Sequence, residues 1–427
     1  MNLKYRRNQQ YFKVGIFIIG AILFISLLTW ANFNYSKGNP GGYDFLTHWI
    51  GTRELFFEGS SPYNEQAVEK VQEFTKFDNA SIEQKNFDFE YPLYSVAVYF
   101  PFALIPDFIF ARALWMTLLE VSLILIVYFS FRLVNWEPGI LKYGLILLFI
   151  LIDFHSLYAL INGNMIILIT LFITVGVFAL KIKADELAGV LLALSTIKLD
   201  ISILILVFIF SWALKNQRLK MVGWFFATLL VLSLSTMLLQ SNWILEFLLA
   251  YLRNFGEVGK STIANALVGI FPGLSDWLTW VIAGLFSINL LMEWRAIRKN
   301  MKLSSFLWVL GLTMVIVFWI GIPSGPIDFI LLFPVLIFIF SLWDGRWKSG
   351  GLFFILASIL LLGGGIWLLV FQKLKLGVLP YENTSLFLPL PAYLYILLYW
   401  VKWWAVKPTQ QIFEDEITNE TSILGDG

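Results

Sequence analysis

The sequence lacks several residue types on which common functional sites depend. It contains no cysteine and only two histidines, His48 and His155, among 427 residues. The lack of cysteine excludes a disulfide scaffold, a thiolate metal site and a cysteine nucleophile, and two histidines cannot form an all-histidine metal cluster. Charged residues make up only 14% of the chain, with 30 Lys and Arg against 29 Asp and Glu. This balance argues against nucleic-acid binding.

The residues that are abundant are apolar. Hydrophobic residues make up 59% of the chain and aromatic residues 17%, whereas a soluble domain is roughly half apolar and a quarter charged. This composition excludes a soluble protein and an intrinsically disordered one. The 18 tryptophans and 16 tyrosines are typical of helix ends at the headgroup level of a bilayer. The composition therefore predicts an all-α polytopic membrane protein.

Apolar runs of the length that a spanning helix needs, about 20 residues, recur along the chain. Between residues 187 and 214 one such run is interrupted at Lys198 and Asp200. We interpret it as two short helices that turn at this point, because both charges would be costly in mid-bilayer. Counting these two helices, the hydropathy predicts about twelve spans. The other runs are 14–31, 110–131, 140–156, 164–180, 221–240, 276–294, 305–322, 327–343, 351–371 and 388–406.

The distribution of basic residues predicts which end of each helix faces the cytoplasm. Lys4, Arg6, Arg7 and Lys13 precede the first span, which predicts a cytoplasmic N-terminus. With the loops alternated from there, most lysines and arginines fall in short cytoplasmic segments. This requires that the proline-rich apolar piece 92–106 does not span, so we expect it to be re-entrant or interfacial on the outer face.

The extramembrane parts are unequal in size. A long outer region, 32–109, shows helical periodicity near 64–74, and a second outer loop covers 241–275. We expect one module over 1–220 that contains the first predicted helix, the long outer region and the next helices, further transmembrane helices over 221–407, and a polar, disordered cytoplasmic tail over 408–427.

Asp44 is the strongest candidate for catalysis. It lies about a turn beyond the first predicted helix, four residues before His48, so the two share a face if this segment is helical. A carboxylate at a membrane–water boundary can act as a general base, because partial loss of water raises its basicity. The alternative is a solvated or helix-capping aspartate, and His48 alone is more often structural.

Uncharged and acidic side chains of the predicted outer face form a second group of candidates. Asn162 and Asn164 suit sugar hydroxyls or a lipid phosphate, or else cap helices. Glu90 precedes the apolar piece and either orients substrate hydroxyls or is solvated. Tyr63 ends the turn Gly59–Tyr63.

Cationic candidates complete the predicted site. Lys198 suits phosphate binding, with an internal ion pair to Asp200 as the alternative. Arg112 is either a second phosphate ligand or a snorkelling side chain, and Lys260 lies in the second outer loop as a further substrate-binding candidate. A late outer turn covers Ser324–Asp328. No Walker loop, zincin motif or nucleophile elbow is found.

The order of these segments resembles glycosyltransferase family 87, the polyprenyl-phosphate-mannose-dependent mannosyltransferase group of the GT-C superfamily. The resemblance covers about residues 32–220. It rests on Asp44, His48-Trp49, Gly59–Tyr63, Tyr91-Pro92-Leu93, Asn162-Gly163-Asn164, and the helix Ala188–Leu194 followed by Ile197-Lys198.

The sequence departs from the family pattern at three positions. Leu199-Asp200 follows the lysine where the family commonly has proline, and Asn162 stands at a glutamine-like position. The late turn Ser324–Asp328 has no histidine, whereas the family often carries one there. These departures bear on the role of the late turn and on the identity of the donor sugar.

The resemblance implies a GT-C-like bundle with short interfacial helices in its long outer loop, and it implies that the module over 1–220 is the catalytic one. It also implies an inverting enzyme that moves mannose or another hexose from a polyprenyl-phosphate donor to a lipid-linked or glycan acceptor at the outer leaflet. Asp44 would be the catalytic base, and Lys198 with Arg112 would bind the departing phosphate. No cofactor or metal is expected.

A transporter or flippase of lipid-linked sugars, and an inactive structural protein, are the alternatives. The clustering of charge at one face argues against transport, because transporters usually carry charged groups in mid-membrane.

Overall fold

Helices form every regular element of the described residues, which confirms the predicted fold class. The computed structural model describes residues 3–75, 87–258, 267, 277–295, 301–320, 325–347, 349–375, 386 and 388–406. The helices of the first half are α1 (Leu3–Gly38), α2 (Tyr43–Arg53), α3 (Glu65–Thr75), α4 (Val96–Ala103), α5 (Phe108–Leu133), α6 (Ile140–Ile152), α7 (Phe154–Asn162), α8 (Ile166–Lys181), α9 (Asp185–Leu194) and α10 (Leu199–Lys215). Those of the second half are α11 (Leu219–Leu239), α12 (Trp243–Val258), α13 (Trp277–Arg295), α14 (Leu303–Ile316), α15 (Phe333–Trp347), α16 (Ser349–Ile359), α17 (Gly365–Leu374) and α18 (Pro389–Val401).

Several of these helices are suited to a bilayer. Within the described residues, six continuous helical stretches are long and apolar enough to cross a membrane, and a seventh is added if α6 and α7, which meet at a bend of 50°, form one span. Three of the six join more than one consecutive element: Asp185–Lys215, Pro326–Trp347 and Gly350–Leu374. Apolar helices of 10–17 residues account for part of the difference from the twelve spans predicted. For example, α8 has only 16 residues and α14 only 14.

The interrupted segment at Lys198 is a helical hairpin. By length and composition Asp185–Lys215 qualifies as one 31-residue span, but its two ends lie together. Arg218, just after α10, forms an ion pair with Asp185 at the start of α9 (3.0 Å) and donates to the carbonyl oxygen of Leu180 (3.0 Å). A straight helix would separate these ends by about 45 Å. The chain instead reverses after the 3₁₀ turn Ser195–Lys198, where Lys198 has φ −113° and ψ 78°. The predicted turn at this lysine is therefore confirmed.

Helices α9 and α11 pack closely at Gly189. A Cβ atom there would lie 2.5 Å from the carbonyl oxygen of Met221 and 2.7 Å from Cβ of Trp224, so only glycine allows this approach. Both helices begin at the end of the molecule where α8 finishes. There Lys181 Nζ donates to the carbonyl oxygen of Leu133 (3.0 Å) and to Asn135 Oδ1 (2.6 Å). We call this the basic end.

The predicted outer region forms a small helical module. The periodicity near 64–74 corresponds to α3, as predicted. The apolar piece 92–106 contains the 3₁₀ turn Leu93–Ser95 and α4. With eight residues, α4 is about 12 Å long, too short for a hydrocarbon core of about 30 Å. The module is joined through Trp49, whose indole N–H donates to the carbonyl oxygen of Phe102 (3.0 Å).

The C-terminal half reaches the N-terminal half through the 3₁₀ helix Pro326–Leu332, which leads into α15. Phe329 in this turn is completely buried. Its ring centroid lies 5.3 Å from that of His155 in α7 and 4.9 Å from that of Phe318. This packing brings residues far apart in sequence to the same end of the bundle.

Candidate functional site

A glycine turn fixes the position of Asp44. Gly41 and Gly42 have φ values of +134° and +77°, which L side chains rarely adopt. A Cβ atom at Gly42 would also lie 2.5 Å from Arg112 Nε. The turn leads directly into α2, whose first turn carries Asp44 with its side chain partly exposed.

Asp44 is hydrogen-bonded to one of the predicted asparagines. Asn164 Nδ2 donates to Asp44 Oδ2 (3.0 Å). Asn164 Oδ1 accepts from the backbone N–H of Ile166 (2.9 Å), at the beginning of α8. The two roles considered for Asn164, helix capping and a place in the site, therefore occur together. The cap orients the amide so that its N–H groups face the carboxylate.

His48 supports Asp44 from the next turn of α2. Its Nδ1 donates to the backbone carbonyl oxygen of Asp44 (2.6 Å), and its ring stacks on Tyr91 and Tyr99 at centroid distances of 4.3 and 5.0 Å. Burial lowers the pKa of His48 to about 4, so the ring is neutral at pH 7. With Nδ1 as the donor, Nε2 carries a lone pair, and within the described residues it has no hydrogen-bond partner.

Glu90 is the second carboxyl group of the cluster. Its side chain is exposed, although the neighbouring protein displaces part of the water around its carboxyl group. This partial removal from water raises the pKa of Glu90 to about 7; the Lys198 ammonium opposes the rise, and the Asp44 and Asp200 carboxylates add to it. Glu90 thus interacts electrostatically with both Asp44 and Lys198, and it changes its charge near neutral pH.

Lys198 is paired with Asp328, the last residue of the predicted late outer turn, whose side chain was given no role from the sequence. Its Nζ lies 2.8 Å from Oδ1 of Asp328, and both side chains are largely buried. The alternative predicted for this lysine was an ion pair with Asp200. The structure shows an ion pair, but its acidic partner is Asp328. The hints in the sequence are that Asp328 ends the predicted outer turn and is the only carboxylate in the apolar run 327–343.

The remaining candidates make other contacts. Tyr63 OH donates to the carbonyl oxygen of Tyr91 (2.7 Å), and Asn162 Nδ2 donates to the carbonyl oxygen of Tyr158 (2.8 Å). Arg112 is buried and donates to the carbonyl oxygens of Asn39 and Ile161. These contacts hold the backbone around the site, and substrate binding by these three residues stays a prediction. Lys260 lies outside the described residues.

The arrangement combines a positioned carboxylate with a positioned cation. Asp44 can accept a proton, and Lys198 can stabilise negative charge on a neighbouring group. Asp44 and Lys198 both act electrostatically on His48 and Glu90, so all four belong to one site. In the part of the chain that the structure describes, no group of three or more His, Asp or Glu side chains is placed to hold a metal ion. The expectation that no metal is required stays a prediction.

Comparison with known proteins gives one match. A family model described as glycosyltransferase family 87 matches residues 89–323, more than half of the chain. No curated protein and no solved structure matches. The matched range includes Glu90, Asn164 and Lys198 and ends before Asp328.

Proposed function

Because the chain belongs to glycosyltransferase family 87, we propose that it transfers a hexose from a polyprenyl-phosphate donor to a lipid-linked or glycan acceptor, with inversion at the anomeric carbon. The hydrogen bond between Asn164 and Asp44 carries this proposal. It fixes one carboxylate oxygen of a partly exposed aspartate, as a general base requires.

The proposed reaction is a single displacement. The acceptor hydroxyl oxygen attacks the anomeric carbon, and Asp44 takes the hydroxyl proton. The bond from the anomeric carbon to the phosphate oxygen breaks, and its electron pair leaves with the polyprenyl phosphate. No separate activation of the leaving group is needed, because a phosphate ester already leaves readily.

Lys198 is suited to the phosphate side of this reaction. Negative charge develops on the phosphate oxygen as the bond breaks, and an ammonium placed there beforehand stabilises it. A lysine ammonium has three N–H donors. The contact with Asp328 therefore leaves donors for a phosphate.

We further propose that the site faces the outer side of a cell membrane and that both termini are cytoplasmic. Asn164 precedes α8, whereas Lys181 ends it at the basic end. The hairpin likewise places Lys198 at the end opposite Arg218 and Asp185. Cytoplasmic ends of membrane helices are enriched in lysine and arginine, which supports an outward-facing site.

The test is transfer of labelled sugar by the purified protein from synthetic polyprenyl-phosphate mannose and from other polyprenyl-phosphate hexoses. Asp44→Asn is expected to lower turnover about 10³-fold, the range of a lost general base. Asp344→Asn is the matched control, because it removes the carboxylate paired with Lys142 away from the site and should leave turnover unchanged.

Two outcomes would contradict the proposal. Turnover of Asp44→Asn within a few-fold of the wild type would reject Asp44 as the base. Movement of lipid-linked sugars across vesicle membranes without any glycosyl transfer would favour the transporter alternative.

A further inference from the structure

Asp328 has a partner for each of its carboxylate oxygens. Oδ1 lies 2.8 Å from Lys198 Nζ, and Oδ2 accepts a hydrogen bond from the backbone N–H of Gly325 (2.8 Å). Only 5% of the side chain is exposed. The carboxylate is thus oriented by its own helical turn, independently of the lysine.

The turn that carries Asp328 is itself well fixed. Pro326 occupies its first helical position, where the fixed φ of proline favours a helix start. Phe329 anchors the turn against His155 and Phe318. Asp328 is therefore a rigid partner for a lysine on a different element.

Lys198 needs such a partner. Its side chain is a flexible four-carbon stem with a strongly hydrated charge, and its backbone leaves the helical region at this residue. The carboxyl groups of Glu90 and Asp200 also act on it electrostatically. Without Asp328, the ammonium would be drawn towards these groups.

We propose that Asp328 is a positioning residue that holds the Lys198 ammonium where it meets the phosphate of the donor. The inference rests on the proposed role of Lys198 in phosphate binding. It gives the late turn, which lies beyond the residues matched by the family model, a part in donor recognition.

The test is a double-mutant cycle on binding of decaprenyl phosphate to the purified full-length protein in detergent. Asp328→Asn keeps an oxygen that can accept from Gly325 but loses the charge. We expect Asp328→Asn and Lys198→Gln each to raise Kd about 10-fold, the scale of one charged hydrogen bond. The Kd of the double variant should lie within about twofold of that of Lys198→Gln, because both changes remove the same contact, between the ammonium and the phosphate.

Two further variants separate positioning from folding. Asp328→Glu retains the charge and should restore part of the affinity. Asp344→Asn, which breaks the ion pair with Lys142, should bind like the wild type. Thermal unfolding of each variant shows whether it is folded.

Several results would overturn the inference. They are a Kd for Asp328→Asn within about twofold of the wild type or below it, additive effects in the double variant, and no binding by the wild type. The assay needs no sugar transfer. If the two variants show coupled effects on binding but the protein transfers no sugar, the proposed function fails and the inference stands. If the protein transfers sugar and Asp328→Asn changes neither transfer nor binding, the proposed function stands and the inference fails.

Discussion

Among single residues, Glu90 is expected to control the pH dependence of transfer. Its pKa is raised to about 7, so the carboxyl group is protonated below that pH and ionises as the pH rises through it. A neutral Glu90 can donate a hydrogen bond to substrate, whereas an ionised one adds charge beside Asp44. We expect turnover to fall above about pH 7, and Glu90→Gln, which stays neutral, to remove this decline.

The measurement is the rate of transfer between about pH 6 and pH 8 for both proteins, at saturating donor and acceptor. Asp88→Asn is the control, because Asp88 also acts on Glu90 but is the weakest of its charged neighbours. A decline that persists unchanged in Glu90→Gln would assign it to another group.

The sequence predicted most of the residues that the structure brings together. The order of motifs singled out Asp44, His48, Asn164 and Lys198, because each lies in a short local pattern. Asp328 could not be predicted in this way. Its role depends on a contact across 130 positions of the chain, and an aspartate in an apolar run does not reveal its partner.

At the scale of secondary structure, the hairpin formed by α9 and α10 makes a direct prediction about topology. Lys183 precedes the hairpin, Lys215 ends it, and both are exposed. The ion pair between Arg218 and Asp185 places them at the same end. Because the chain has no cysteine, Lys183→Cys and Lys215→Cys provide unique labelling sites. Both should react with a membrane-impermeant maleimide from the same side of the membrane, whereas a single continuous span would place them on opposite sides.

The number of spans was harder to predict than the hairpin. Lys198 and Asp200 mark the reversal, because two charges in an apolar run are costly within a bilayer. Hydropathy alone does not show where a helix ends or bends. The run 140–156, for example, was predicted as one span, and hydropathy gave no sign of the bend of 50° between α6 and α7. The bend lies at Asp153, whose side chain caps α7 by accepting from the backbone N–H of His155.

For the whole molecule, the site and the basic end lie at opposite ends of the helices, which predicts that they face opposite sides of the membrane. Gln66 lies exposed on α3, in the helical module formed by the predicted outer region, and Lys215 lies exposed near the basic end. In intact cells, a membrane-impermeant maleimide should label Gln66→Cys, and it should label Lys215→Cys only after the cells are opened. The physical reason is that lysine and arginine are retained on the cytoplasmic side.

The unmodified protein, which has no cysteine, gives the background of this experiment, and each variant should first be shown to retain transfer. If Lys215→Cys but not Gln66→Cys is labelled in intact cells, the protein has the opposite orientation in the membrane. The site would then lie on the cytoplasmic side. Labelling of both would instead contradict the separation of the two ends by the membrane. Because α8 and both arms of the hairpin connect these ends, the positions of Asn164 and Lys198 relative to the bilayer depend on the same result.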